Sequence, residues 1–330
     1  MPTRLRKLFF GIAVIGFFGV PASGPAAAEI TEIVIGTGAP GGVFHRIGRA
    51  VCRLVNRKTE GLKCTARPAE AGDTSESMAN LIHVENGAIE IGLVRSDWLY
   101  HAVNGSGPVA FLDANFDRLR TLFAVPGETF TIVARRDASI HRLDDLAGKR
   151  VNIGDAGSRQ RALMDEVMTA QGWTRADFLL GEELPEAEQS LALCHDRVQA
   201  VVYAVAHPDR AIKRITRLCD ATLVDVSGAA IDGLIADKPY YAPITVPAGT
   251  YAGTPNAVRG FGTSVVLVSS TDVDPTIVRA VVAAVFDDLD AFKRMNTTFA
   301  TLEAKTMIRR AMTAPLHDGA AAYFRTDGLM

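Results

Sequence analysis

The chain has 330 residues, 48% of them hydrophobic, with 35 basic and 37 acidic side chains and a formal net charge of −2. That balance leaves no basic stripe to neutralise phosphates, which excludes nucleic acid as the natural partner. A chain of this size buries a large core and divides into two lobes or domains.

The first 28 residues have the pattern of a secretory leader. Arg4, Arg6 and Lys7 form a basic start, residues 8–20 are an apolar run, and Ala26-Ala27-Ala28 supplies the small residues of a cleavage site. The apolar run is too short for a membrane-spanning helix, which needs about 20 residues. The reading is cleavage after about Ala28 and a periplasmic mature chain from Glu29 onward. Loss of three basic residues takes its net charge to about −5.

A strand is predicted over 30–35, followed by the turn Gly36-Thr37-Gly38-Ala39-Pro40-Gly41-Gly42 and a helix from Val43. Ile47, Ala50, Val51, Leu54 and Val55 give that helix one buried face. The glycine turn exposes backbone N–H groups and the helix start adds partial positive charge, a corner suited to an anion. Thr37, Gly38, Ala39, Gly41, Gly42 and Val43 are therefore candidate ligand contacts. Phe44 is a cleft wall or a core residue. A short strand follows at 64–66, a helix over 77–86, a buried strand over 89–94, and a helix through Trp98 and Tyr100, which read mainly as core. Ser77 and Ser96 are hydroxyl donors to a ligand or plain helix caps. Arg95, Ser96 and Asp97 sit where the buried strand ends.

Strands are expected at 119–125 and 129–134, separated by Pro126-Gly127, a junction that reads as a crossing between lobes. A short helix is expected at 141–146, a strand at 150–153, a second glycine turn at 154–158 and a helix over 159–170. Ser158 and Arg159 open that helix, where helix dipole and donors coincide. Next come a helix at 186–194, a strand at 198–203, a helix at 209–218, a strand at 222–226 and a short helix at 231–237. Tyr203 ends one of these strands where such strands meet a cleft. His207 is a ligand contact or a loop histidine bonded to backbone. A strand at 261–269 returns to the first lobe, and helices follow at 274–293 and 302–312.

Each half thus repeats one device, a strand feeding a glycine or serine turn that opens a helix. The expected fold is α/β, two-lobed, with crossing hinge strands and a ligand cleft between the lobes. Lobe 1 takes 29–127 plus 265–330 and lobe 2 takes 128–264. Four cysteines in an exported chain read as two disulfides; the favoured pairing is Cys52–Cys64 and Cys194–Cys219. No C-x-x-C pair, nucleophile elbow or zinc-protease motif occurs, so catalytic, metal and cofactor residues are expected to be none.

The residues also resemble a known family, the TAXI (TRAP-associated extracytoplasmic immunogenic) solute receptors of TRAP transporters. The markers are Gly36-Thr37-Gly38 through Phe44, Ser77 with Asn80, Arg95-Ser96-Asp97, 145–151, Gly157-Ser158, Pro239-Tyr240-Tyr241, 246–251 and 315–320. The resemblance implies a type II-like periplasmic binding protein, a monomer that captures a small acidic solute. A dicarboxylate or glutamate-like ligand would pass to the membrane permease subunits of a TRAP transporter. Three departures touch the implied cleft: Ser75-Glu76 stands where the family has Gly-Gly, Arg95 where it has Gln, and Arg159-Gln160 where it has Gly-Thr. Arginine presents a planar fork that suits a carboxylate. The expectation is that Arg95 or Arg159 clamps one, while Glu76 takes an amino group or pairs with an arginine. Two other readings stand beside this one. A sensory receptor would use the same cleft. A nicotinamide-dependent oxidoreductase is suggested by Gly36-x-Gly38-x-x-Gly41, but Ala66-Arg67-Pro68 stands where its ribose-binding acid belongs.

Overall fold

The computed structural model describes residues 1, 30–70, 75–107, 110 and 114–330. The expected leader and cleavage site at 26–28 lie outside them, Met1 apart.

Among the described residues the strands and α-helices run in the order β1 (Thr31–Gly36), α1 (Val43–Lys58), β2 (Leu62–Arg67), α2 (Glu76–Glu85), β3 (Ile91–Arg95), α3 (Ser96–Val103), β4 (Leu119–Arg135), β5 (Arg150–Asn152), α4 (Arg159–Gln171), β6 (Leu180–Glu182), α5 (Glu186–Cys194), β7 (Ala200–Val205), α6 (Arg210–Leu218), β8 (Ala221–Val224), α7 (Ala229–Asp237), β9 (Ala242–Val246), β10 (Val258–Ser270), α8 (Pro275–Phe286), α9 (Leu289–Met295), α10 (Ala304–Met307) and α11 (Asp318–Thr326). Among the described residues the strands form one curled sheet in the order β2-β1-β3-β10-β4-β7-β5-β6, with β8 beside β4 and β9 beside β10. β1, β2 and β3 are parallel, as are β5, β6 and β7. The long strands β4 and β10 run antiparallel to these neighbours and to each other.

Helices cover both halves of the sheet, so the core lies in four clusters. α1, α8 and α11 pack together around Ile47, Val51, Val281 and Phe324, and α2 and α3 bring Leu81, Val84 and Leu99 against β3 and β10. In the other half, Leu163 and Val167 of α4 meet Ile231 of α7, and Leu193 of α5 meets Ile212 of α6. Cys52–Cys64 ties α1 to β2, and Cys194–Cys219 ties the end of α5 to the residue that closes α6.

Several elements depart from the sequence expectation. β4 is one strand from 119 to 135, because the φ that proline imposes suits extended backbone and a register shift between Gly262 and Ser264 of β10 absorbs the irregularity. β9 was not anticipated; Pro243 interrupts its pattern, and it forms because the first half of β10 needs a partner. The helix expected over 274–293 divides at Asp288, which accepts a bond from Ala291 N (3.2 Å) and caps a second helix. The final expected helix shrinks to α10, and residues 143–146 form a 3₁₀ turn.

The strand crossing is closely packed. A Cβ at Gly262 would lie 2.1 Å from the Glu128 carbonyl oxygen, backbone that cannot swing aside. Gly262→Ala is therefore expected to cost at least about 1 kcal/mol in urea unfolding. Gly233→Ala, where a Cβ meets nothing within 4 Å on exposed α7, is expected to gain about 0.5–1 kcal/mol. Equal effects at the two sites would show that the crossing is loose.

Candidate functional site

β3 ends at Arg95, and α3 begins at the next residue, so the strand end and the helix start deliver two opposite charges to one point. The Arg95 guanidinium grips Asp97 with two bonds, Nε to Oδ1 and Nη2 to Oδ2, each 3.0 Å. Asp97 also accepts from Trp98 N at 2.9 Å, as an acid in a first helical turn does. Arg159, the first residue of α4, reaches the same acid from the other half of the sheet: Nη2 lies 3.2 Å from Asp97 Oδ2, and Nε lies 3.5 Å from Glu128 Oε2 on β4. These contacts lack hydrogen-bond alignment. Nε and Nη2 of Arg159 and Oε2 of Glu128 are buried without a hydrogen-bonded partner.

Burial tends to raise the Asp97 pKa, but Arg95 and Arg159 together outweigh it and hold the carboxyl below its usual range. Burial likewise works against the charge of Arg95, and Asp97 with Glu128 reverses that. Beside this cluster a cavity of about 170 Å³ is lined by Trp98, His101, Glu166, Tyr240 and Tyr241 as well as the two arginines and Asp97. Tyr241 donates to Glu166 (2.7 Å), whose other neighbour is Lys238 at 3.1 Å. Burial and Glu166 push the Tyr240 hydroxyl up to about 12 and Tyr241 further in the same direction, so both remain neutral donors. Tyr100 packs on Tyr240 at 5.2 Å, joining α3 to the segment before β9.

The first glycine turn holds an anion of its own. Ala39 N donates to Glu76 Oε1 at 2.6 Å, and a Cβ on Gly38 would lie 2.1 Å from Glu76 Oε2. The carboxylate thus lies flat on the turn, and only glycine leaves it room. Among the described residues Glu76 forms no ion pair with Arg95 or Arg159, so the expected alternative of pairing with an arginine is not what the structure contains. The sequence departure at Glu76 and the first glycine turn are one arrangement.

The other candidates divide between framework and site. Thr37 is buried and donates to Arg67 O (2.8 Å). Gly41 adopts φ +78°, Gly42 begins α1, and Val43 and Phe44 pack with the α1 core. Ser77 accepts from Arg95 N (3.0 Å); Ser96 donates to Tyr240 O (2.7 Å) and accepts from Ser264 N (3.0 Å). Both hydroxyls hold the strand ends in place. Asn80 does similar work, donating to Thr37 O (3.1 Å) and Leu93 O (2.8 Å). Ser158 caps α4 by accepting from Arg161 N (3.1 Å). Tyr203 is buried in the α5–α6 core with its hydroxyl 3.3 Å from Ser190. His207 lies elsewhere, on a separate cavity of about 670 Å³. Arg95, Asp97 and Arg159 are therefore the expected residues that the fold brings together. Glu128, Glu166 and the side chains of Tyr240 and Tyr241 were not singled out for the site. The available signal for the tyrosines was their place in the Pro239-Tyr240-Tyr241 marker of the resemblance; for Glu128 it was its position directly after Pro126-Gly127.

Residues 35–328 match the sequence profile of the NMT1-like family. Among solved structures, a TctC solute binding protein from Polaromonas, crystallised without ligand, superposes with a TM-score of 0.55 at 14% identity, over 92% of this chain and 100% of the other. A putative periplasmic sulfonate-binding protein SsuA from Methylobacillus flagellatus KT gives 0.48 at 12%, over 92% and 89%. The periplasmic aliphatic sulphonate binding protein SsuA from Escherichia coli gives 0.45 at 14%, over 91% and 88%. The first of these carries the fold assignment: α/β, in the two-lobed manner of the periplasmic binding proteins.

Proposed function

This chain belongs to the NMT1-like family, and from that premise we propose that it is an exported receptor that captures a small organic acid or amino acid between its lobes. The observation that carries the reading is the buried ion cluster at the crossing, where the Arg159 donors and the Glu128 acceptor lie 3.5 Å apart yet neither makes a hydrogen bond. Buried polar atoms are nearly always partnered. A carboxylate presented to the Arg159 fork and an amino group presented to Glu128 would complete both. Lobe 1 is taken as 29–127 plus 265–330 and lobe 2 as 128–264, so a ligand at Arg159 and Arg95 touches both lobes only when they close. We read the chain as a binder rather than an enzyme. The finer assignment is a TAXI-type receptor, periplasmic after cleavage near Ala28, monomeric, and serving a TRAP permease.

Glu76 narrows the ligand. With the glycine turn already covered by a carboxylate, the ligand's own carboxylate is assigned to Arg159, and the turn would repel a second acid or a pyrophosphate. The favoured solute therefore has one carboxylate and an amino group. Glu76→Ala frees Ala39 N–H and is expected to raise affinity for a glutamate-like diacid several-fold relative to a monoacid, read by calorimetry. An unchanged ratio would place Glu76 outside the ligand's reach.

The direct test is a thermal-shift screen of refolded protein against carboxylates, amino acids, sugars and nicotinamide cofactors. Binding to the folded state alone stabilises by about 2.7 kcal/mol at a hundredfold excess over Kd. A shift of several degrees with one acid or amino acid supports the receptor. Stabilisation by a nicotinamide cofactor, or silence across every carboxylate, overturns it.

A further inference from the structure

The larger cavity, about 670 Å³, shares no lining residue with the Arg95–Arg159 cavity. It lies against the same strand crossing but on the other face. Ala124, Pro126, Gly127 and Thr129 of β4 line this cavity, while the Glu128 side chain reaches Arg159 instead. Its volume falls within the roughly 300–1,000 Å³ typical of small-molecule sites. The wall is largely apolar, with Ala124 and Pro126 from β4, Ile244 and Val246 from β9, and Leu302 and Met307 from the segment around α10.

Two charged residues line that wall, Glu303 and Arg310. Arg310 is half-buried, and among the described residues no carboxylate lies within 4.0 Å of its guanidinium nitrogens and no acceptor bonds them. Burial alone pulls its pKa below the ordinary arginine value, with no neighbouring charge to restore it. Glu303 is the lining acid, but it is exposed and not paired with Arg310. His207 supplies no charge. Its Nε2 lies 2.9 Å from Thr131 Oγ1 and its Nδ1 2.6 Å from the Tyr251 hydroxyl, and burial lowers its pKa to about 4. A half-buried cation in a largely apolar wall, with no carboxylate beside it, offers an incoming anion a partner of opposite charge.

We propose that this cavity is a second small-molecule site, taking an amphipathic anion whose carboxylate or sulfonate meets Arg310 and whose apolar tail lies along β4 and β9. It is independent of the ligand assigned to the Arg159 cavity.

Octanoate is the probe, with octylamine as the cation of matched tail. Calorimetry on the disulfide-intact chain is expected to show octanoate binding and no octylamine binding. Arg310→Met is expected to weaken octanoate at least tenfold while raising Tm, since it replaces a half-buried charge with an apolar side chain in a largely apolar wall. Arg310→Lys, which keeps the charge, should retain part of the affinity. In crystals soaked with 8-bromooctanoate, the anomalous bromine peak should fall between Ile244 and Met307. The proposal is overturned if octanoate shows no binding at millimolar concentration, if Arg310→Met leaves its affinity unchanged or lowers Tm, or if the bromine lies beside Arg95 and Arg159.

Discussion

Asp97→Ala is expected to lower the stability of the folded chain by about 3–5 kcal/mol, the usual cost of removing one member of a buried ion cluster. The Asp97 side chain is 11% exposed and each arginine 25%, so water cannot replace the carboxylate. Its loss leaves Arg95 and Arg159 facing each other, with only Glu128, 3.5 Å from Arg159, to offset them. Urea unfolding at neutral pH measures the effect; a change below about 1 kcal/mol would mean the cluster is solvated. The pH dependence follows from the sign of the shift. Asp97 is held below its usual range when folded, whereas in the unfolded chain an aspartate titrates near about 3.9. Its contribution is therefore fully present above that value and is lost as pH falls through the lower folded one. The acid limb of the wild-type stability curve should be correspondingly steeper there than that of Asp97→Ala.

Arg159→Ala should leave the fold nearly intact, because Asp97 keeps its two bonds from Arg95. Binding is where the loss should appear. A charge-assisted hydrogen bond to a carboxylate is worth about 1.5–3 kcal/mol, so the acid identified by the screen should bind roughly ten- to a hundredfold more weakly. Arg159→Lys keeps the charge without the planar fork and should fall between the two. The decisive pattern is a large change in Kd with a small change in unfolding free energy. Unaltered affinity would remove Arg159 from the site, and with it the assignment of the ligand's carboxylate. An equal loss of stability would instead make Arg159 a structural tie between the lobes.

Much of this site was legible from local pattern. The β1 turn and the start of α4 announced themselves through glycine and serine before a helical rhythm. Arg95 and Arg159 stood out as departures from the pattern of the resembled family, at a strand end and a helix start, where side chains converge in an open α/β sheet. The cysteine pairing also followed from local order, since Cys52 and Cys64 are separated by only 12 positions and flank a single helix-to-strand turn. The helix between β1 and β2 needed nothing beyond its own apolar stripe.

Other features have no local signal. Pro126-Gly127 reads as a break in any window, yet β4 continues through it, because β10 supplies a partner whose register shifts at that point. β9 exists because β10 lies beside it. The chemistry depends on similar distant encounters. Glu76 covers a turn 37 positions upstream, Glu128 meets Arg159 31 positions downstream, and Tyr241 finds Glu166 across 75. His207, close in sequence to the end of β7, faces the reverse side of the crossing from Arg159.

Residue order alone thus specified the alternating strands and helices, the disulfides and the places where charges would gather. Those depend on periodicity, turn chemistry and short loops, whose energies are settled within one or two neighbouring elements. Which charge meets which, which carboxylate is already committed, and on which face of the crossing a side chain emerges were decided by the closed sheet. These choices depend on burial and electrostatic pairing between segments far apart in the chain. Their sign is set only when water has been excluded from between them.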